Sequence, residues 1–233
     1  MIQQILRQQV KLGLIVFIAV LLLLLIRHWP LGPKIAVDFI RFNDWSDYLL
    51  EAGFNYQDYW AMIGRPERLY TVTISVMAAL KVLFDDNWTS VYFGLNLVWT
   101  GLLLGMLCHS ARMLEVSWLA IAALLPLVLL SADFMYWPHY VLSDTFFAFL
   151  LMLAVWWLVF TLTRPNPSLR VRSALLSGAL LLIGLIAFAR PTSAPYAGSL
   201  LLFVLLLPLA VHRWRPAWVG FGLMLTVVVL AVA

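Results

Sequence analysis

The chain has 233 residues, of which 64% are hydrophobic and only 11% charged; soluble domains carry about a quarter charged residues, so too little polar side chain exists to cover a water-facing surface and lipid must be the main solvent. The net charge of +4 comes from basic residues scattered singly between apolar runs, which argues against a nucleic-acid partner and fits a positive-inside bias. A single cysteine, Cys108, excludes an intramolecular disulfide and a cysteine metal cluster.

Uncharged apolar runs occur at about 12–26, 89–108, 116–132, 145–163, 173–189, 191–211 and 216–233. Roughly 20 residues cross a 30 Å hydrocarbon core, and backbone facing lipid must be helical to satisfy its own hydrogen bonds. Each run is therefore read as a membrane helix, which predicts an all-α membrane protein with about seven spans and a single transmembrane domain over 1–233. The first run is short, but Lys11 and Arg27 can snorkel at its ends. No small-residue cleavage site follows it, and Arg27-His28-Trp29-Pro30 reads as an interface stop, so it is a retained span rather than a cleaved signal.

Between the first and second runs lies an outer loop, 29–86, whose first part, about 29–68, is the one long polar segment. Within it Phe42, Trp45, Leu49 and Ala52 recur at helical spacing, and Asp44, Asp47 and Glu51 occupy another face. This pattern predicts an amphipathic helix over 38–52 lying at the interface, with Gly53 placed to end it. A second short helix is expected over 56–63, stopped by Gly64-Arg65-Pro66. Residues 69–80 are apolar but too few to cross, and Lys81 and Asp85-Asp86 follow; the length predicts a helix at 67–84 that dips and returns.

Charge supports that reading. If 67–84 does not cross, Arg7, Lys11, Arg112, Arg164, Arg170, Arg172, Arg213 and Arg215 fall in the cytoplasm, and the short outer loops keep only Arg190. If it does cross, the Arg164/Arg170/Arg172 cluster lies outside, against the positive-inside rule. The N-terminus is therefore placed inside and the 29–86 segment outside. Ten of the eleven acidic residues then lie at the outer face, which is where water-accessible chemistry is expected.

Three outer-face features stand above the apolar background. One is the acidic stripe of Asp44 and Asp47 with Tyr48 next to it, which solvation of an interfacial helix would also explain. Another is Leu142-Ser143-Asp144 at the mouth of the fourth span, where an acid near a helix start also suits the dipole. The third is Arg190-Pro191-Thr192, where the fifth span surfaces and snorkelling alone would account for the arginine. His139 stands close to the second feature; a lone histidine is more often interfacial packing than a ligand.

In combination these positions resemble the GT-C superfamily of integral-membrane glycosyltransferases, most of all the aminoarabinose transferases and protein O-mannosyltransferases. The likeness rests on Asp44, Tyr48 and Ala52 on a juxtamembrane helix, on Pro66 and Tyr70, on Leu142-Ser143-Asp144 and on Arg190-Pro191-Thr192. Trp45 stands where those enzymes often carry a second acid, and family members usually continue for several more spans or a soluble domain.

The resemblance implies an inverting transfer of a sugar from a polyprenyl-phosphate donor to an acceptor hydroxyl on a glycan, lipid or protein. The reaction would take place at the outer face of a bacterial cytoplasmic membrane. It implies catalytic roles for Asp44, as general base, and for Asp144, as a second carboxylate. Substrate-binding roles follow for Asp47, Tyr48, His139, Arg65 and Arg190, the last as partner of the lipid phosphate. The cofactor stays unassigned, with a divalent metal left open. Two other classes compete: a transporter or flippase, and a catalytically idle scaffold subunit. Against the transporter, no charge except Lys81 sits mid-span, and no paired broken helices mark a midplane site.

Overall fold

The computed structural model describes residues 2–130, 136–163 and 168–210. Among these the chain is 86% helical and forms no strand. The predicted seventh run, 216–233, lies outside the described residues, as do Arg164, Arg213 and Arg215.

The first helix, α1, runs Ile2–His28 and keeps Arg27 and His28 in its last turn, where positive charge suits the helix dipole. A short 3-10 turn and Gly32, at φ 64°, reverse the chain. The outer segment then folds as expected. Helix α2 covers Phe39–Glu51 and buries Phe42, Ser46 and Leu49. It ends in a Schellman arrangement, with Phe54 N–H donating to Leu49 O at 3.0 Å and Gly53 N–H to Leu50 O at 2.9 Å. Gly53 has φ 58°, a left-handed conformation that costs a residue without a Cβ little. Helix α3, Tyr56–Met62, is capped by Asn55, whose side chain accepts from Gln57 N–H.

Helix α4, Thr71–Phe84, is 14 residues long, about 21 Å at 1.5 Å per residue and too short for the hydrocarbon core. Asp85, at φ 46°, breaks it from α5, Trp88–Met113. Helices α6, Trp118–Leu130, α7, Ser143–Thr163, α8, Leu169–Ala187, and α9, Ala194–Ala210, complete the described chain.

The bundle is built around α5. Helix α1 runs antiparallel to it: Trp29 stacks on Phe93 at 5.8 Å at one end, and Gly13 meets His109 near the other. A Cβ on Gly105 would stand 3.0 Å from the Gly13 carbonyl oxygen and 3.1 Å from Phe17 Cβ. Small residues thus let these two backbones approach, the packing that helices use in lipid. Helix α7 runs parallel to α5, with Trp99 against Phe146 at 4.7 Å and Trp156 Nε1–H donating to His109 Nδ1 at 2.7 Å. Helix α8 returns antiparallel, held by Trp157 Nε1–H donating to Leu175 O.

One end of this bundle gathers the finish of α1, the starts of α5 and α7, and the finish of α8; it is called the outer end here, after the orientation read from charge. Both ends of α4 lie there. Val72 N–H donates to Phe188 O at 3.0 Å and Thr73 Oγ1–H to Ala189 O at 2.9 Å, joining the start of α4 to the finish of α8. Lys81, near the finish of α4, stands 5.2 Å over the ring of Trp88, the first residue of α5. Both ends of the 67–84 segment thus lie at the same end of the bundle.

Among the described residues four stretches are long and apolar enough to cross a membrane: Gly13–Leu31, Glu67–Met113, Ser143–Thr163 and Arg170–Ala187. Trp118–Leu129 and Pro191–Leu205 are shorter apolar helices. Composition and these helices together define an α-helical membrane protein.

Candidate functional site at the outer end

The approach of α8 to α7 creates the main polar contact of the outer end. Helix α8 stops before Arg190, which is fully extended and is followed by Pro191 in a 3-10 turn. Proline lacks an N–H and cannot continue the helix, so the chain turns at Arg190. Helix α7 begins at Ser143, which puts Asp144 in its first turn. Arg190 Nη1–H donates to Asp144 Oδ1, and both side chains are mostly buried, with exposures of 32% and 24%. A guanidinium–carboxylate pair of this kind is charge-assisted and holds its geometry well. Arg190 Nε is buried without a partner among the described residues.

Two further elements flank the pair. Tyr70 lies close enough to Arg190, Asp38 and Glu67 to feel all three electrostatically. It is fixed from α2 by Phe42, edge-on at 5.0 Å, and by Trp45 at 5.6 Å. On the other side Asp144 walls a cavity of about 290 Å³ with Thr100, Trp137, Pro138 and Thr145. Among the described residues its Oδ2 makes no hydrogen bond and remains available there.

The loop that delivers Asp144 is pinned from α5. Asn96 Nδ2 donates to Pro138 O at 3.1 Å and Tyr140 O at 2.9 Å, and Tyr92 Oη–H donates to Leu142 O at 2.8 Å. From the segment that follows α1 the same loop is held by a bridge between Lys34 and Tyr140. Asn96 is fully buried in a largely apolar helix, and its polarity in that run was the signal that could have marked it.

The other sequence-predicted residues are placed as follows. Asp44 is exposed on α2 together with Arg41, Tyr48 and Glu51, forming the water face of that helix. It makes no side-chain hydrogen bond among the described residues and contacts neither Arg190 nor Asp144. Asp47 turns instead toward α4, where Lys81 Nζ–H donates to its Oδ1 at 2.6 Å. Arg65 is exposed in the turn after α3. His139 is buried, with its Nδ1 3.2 Å from Gly32 O and its Nε2 2.6 Å from His28 Nδ1. A carbonyl only accepts, so His139 Nδ1 carries the proton and Nε2 accepts from His28. Both ring nitrogens are therefore occupied, and His139 is a packing and loop-holding residue here.

Tyr59 is buried in the outer segment, and burial pushes its phenol far above the ordinary value, so it stays neutral. Among the described residues no three His, Cys, Asp or Glu side chains come together to hold a metal.

No family model, curated protein or solved structure matches this chain.

Proposed function

We propose that this membrane protein is a GT-C-type glycosyltransferase, moving a sugar from a polyprenyl-phosphate donor to an acceptor hydroxyl at the outer face of a bacterial cytoplasmic membrane. The observation that carries the reading is the Arg190–Asp144 pair, in which two distant elements of the sequence pattern meet at one end of the bundle. Tyr70, a third element, lies within electrostatic reach of Arg190.

In the reaction the acceptor oxygen attacks the anomeric carbon from the face opposite the phosphate. The carbon–oxygen bond to the lipid phosphate breaks, and the phosphate leaves with the electron pair. Arg190 offsets the charge gathering on that phosphate, with Nε and its remaining donors free for the task. Asp144 holds the guanidinium in register and offers Oδ2 to a hydroxyl in the adjoining cavity. Asp44, on the face open to water, accepts the acceptor's proton. The topology that goes with this chemistry has seven crossings, an inner N-terminus and an outer 29–86 segment; the return of both ends of α4 to one end of the bundle supports it.

Incubating the purified chain in lipid bilayers with a radiolabelled polyprenyl-phosphate sugar and an envelope extract tests the reading. Label passing into a glycan, lipid or protein acceptor is expected. Donor moved across the bilayer without transfer would instead make the chain a flippase, and neither event would leave the scaffold reading.

A further inference from the structure

The loop that carries Asp144 to the outer end is held from α5 by Asn96 and Tyr92 and from α1 by a histidine. These holds differ in one respect. The Asn96 amide does not titrate and a phenol keeps its proton up to about pH 10, whereas imidazole changes charge between about pH 5 and 8.

His28 closes α1 and His139 closes the turn Trp137–His139; both side chains are buried. The His139 ring stacks on Phe93 of α5, and its backbone carbonyl accepts from Lys34 N–H at 2.8 Å. With His139 Nδ1–H on Gly32 O and His28 Nδ1–H on His139 Nε2, the two rings tie the finish of α1 to the turn that opens the loop. Pro138, inside that turn, lines the cavity beside Asp144, so a shift of the turn moves a wall of that cavity.

The bond between the rings needs one bare nitrogen. One added proton, taken on His28 Nε2, leaves His28 Nδ1–H facing a bare His139 Nε2, and the bond persists. A second puts N–H against N–H where the nitrogens stand 2.6 Å apart, with two like charges held away from water, and the contact is lost. The charged and titratable groups around the pair do not relieve it. They are Arg27 on α1, Lys34 on the segment after it, and Tyr136 and Tyr140 on either side of the turn. Tyr92 on α5 gives its proton to Leu142 O, and Asp144 at the start of α7 is already engaged by Arg190. Helix α6, which packs on the same cluster as Phe93, carries no titratable side chain.

We infer that the His28–His139 pair is an acid-sensitive latch, which holds the turn Trp137–His139 against the finish of α1 and releases it when both rings are protonated, loosening the placement of Asp144 against Arg190. The held form carries fewer protons than the released one, so the latch is complete at neutral pH and is lost as pH falls. The inference concerns the geometry of the outer end and stands apart from the reaction proposed above.

Nitroxides on Ile35→Cys and Tyr136→Cys, two exposed positions on either side of the latch, report it by electron paramagnetic resonance in the full Cys108→Ser chain in nanodiscs. The distance distribution should be narrow at about pH 7.5 and should broaden to longer distances at about pH 4.5, below the histidine range. His139→Gln separates the latch from other acid effects. Its amide donates to Gly32 O and accepts from His28 whatever the charge of His28, so the narrow distribution should persist at both pH values. His139→Leu can do neither and should be broad at both. His28→Gln keeps an amide opposite His139 and should also stay narrow, so it serves where His139→Gln does not fold; melting temperature and monodispersity report folding. No broadening with both histidines in place would overturn the latch. So would acid broadening in a folded Gln variant, or a narrow distribution in folded His139→Leu.

Discussion

Lys81 Nζ lies 2.6 Å from Asp47 Oδ1 and 3.0 Å from Asn43 O, so one ammonium on α4 fastens the amphipathic helix α2 beside it. Asn43 Nδ2–H donates to the other carboxylate oxygen at 3.2 Å, and the Trp88 ring of α5 lies beneath the same charge. Lys81 is 11% exposed and Asp47 47%, so solvent screens the acid more than the base.

Removing the ammonium should loosen α2 without unfolding the bundle. Lys81→Met keeps the apolar stem, and discounting for the exposure of Asp47 it should cost about 1–2 kcal/mol. Thermal unfolding in detergent checks the loss, and limited proteolysis between α2 and α3 should quicken. The double exchange Lys81→Asp with Asp47→Lys should recover part of the lost stability.

Asn96 should matter through the loop it holds. Asn96→Leu leaves the Pro138 and Tyr140 carbonyls without their donor, at a cost of about 1–2 kcal/mol in a membrane bundle. The readout specific to positioning is the Arg190–Asp144 pair: cysteines substituted at these two sites should crosslink less efficiently once Asn96 is replaced.

Much of this architecture is legible in the sequence, because lipid permits so few solutions for a backbone. Helix α2 follows from Phe42, Trp45 and Leu49 at helical spacing, and Gly53 closes it as expected. The shortness of α4 follows from the early arrival of Lys81 and Asp85. The acidic stripe is where local pattern fails. Along a helix turning about 100° per residue, Asp44 and Glu51 share a face while Asp47 stands about 60° away, enough for it to reach α4 and leave Asp44 to water. Nothing in local sequence pairs Arg190 with Asp144, since their meeting depends on how α7 and α8 pack. His139 and its partner His28 were likewise beyond reach, being brought together by the return of the chain after α1.

The orientation can be read from a single engineered thiol. In a Cys108→Ser background, a cysteine at Ser168, the N-cap of α8, should react with a membrane-impermeant maleimide only from the inner side. Labelling only from the outer side would show that 67–84 crosses and would overturn the proposed topology.

Asp44→Asn keeps shape and much hydrogen bonding but removes the proton acceptor. A general base contributes about 10²- to 10⁴-fold, so turnover should fall by that order while donor binding and insertion persist. Transfer at the wild-type rate would pass the base role to Asp144, which lines the cavity beside Thr100 and Trp137.

The most direct measurement is the apparent affinity for a polyprenyl-phosphate sugar in sugar transfer by wild-type chain, Arg190→Lys and Arg190→Ala. An arginine that only ends a helix is replaceable by lysine, since both snorkel; one that grips a phosphate and Asp144 together uses a planar fork that an ammonium cannot reproduce. Contacts of that kind are worth about 1.5–3 kcal/mol each, or roughly 10- to 150-fold in affinity. The account predicts transfer by the wild-type chain, weakened by about that factor in Arg190→Lys and nearly abolished in Arg190→Ala, with normal insertion of both. Wild-type affinity in Arg190→Lys, or no transfer by the wild-type chain from any polyprenyl-phosphate sugar, would contradict it.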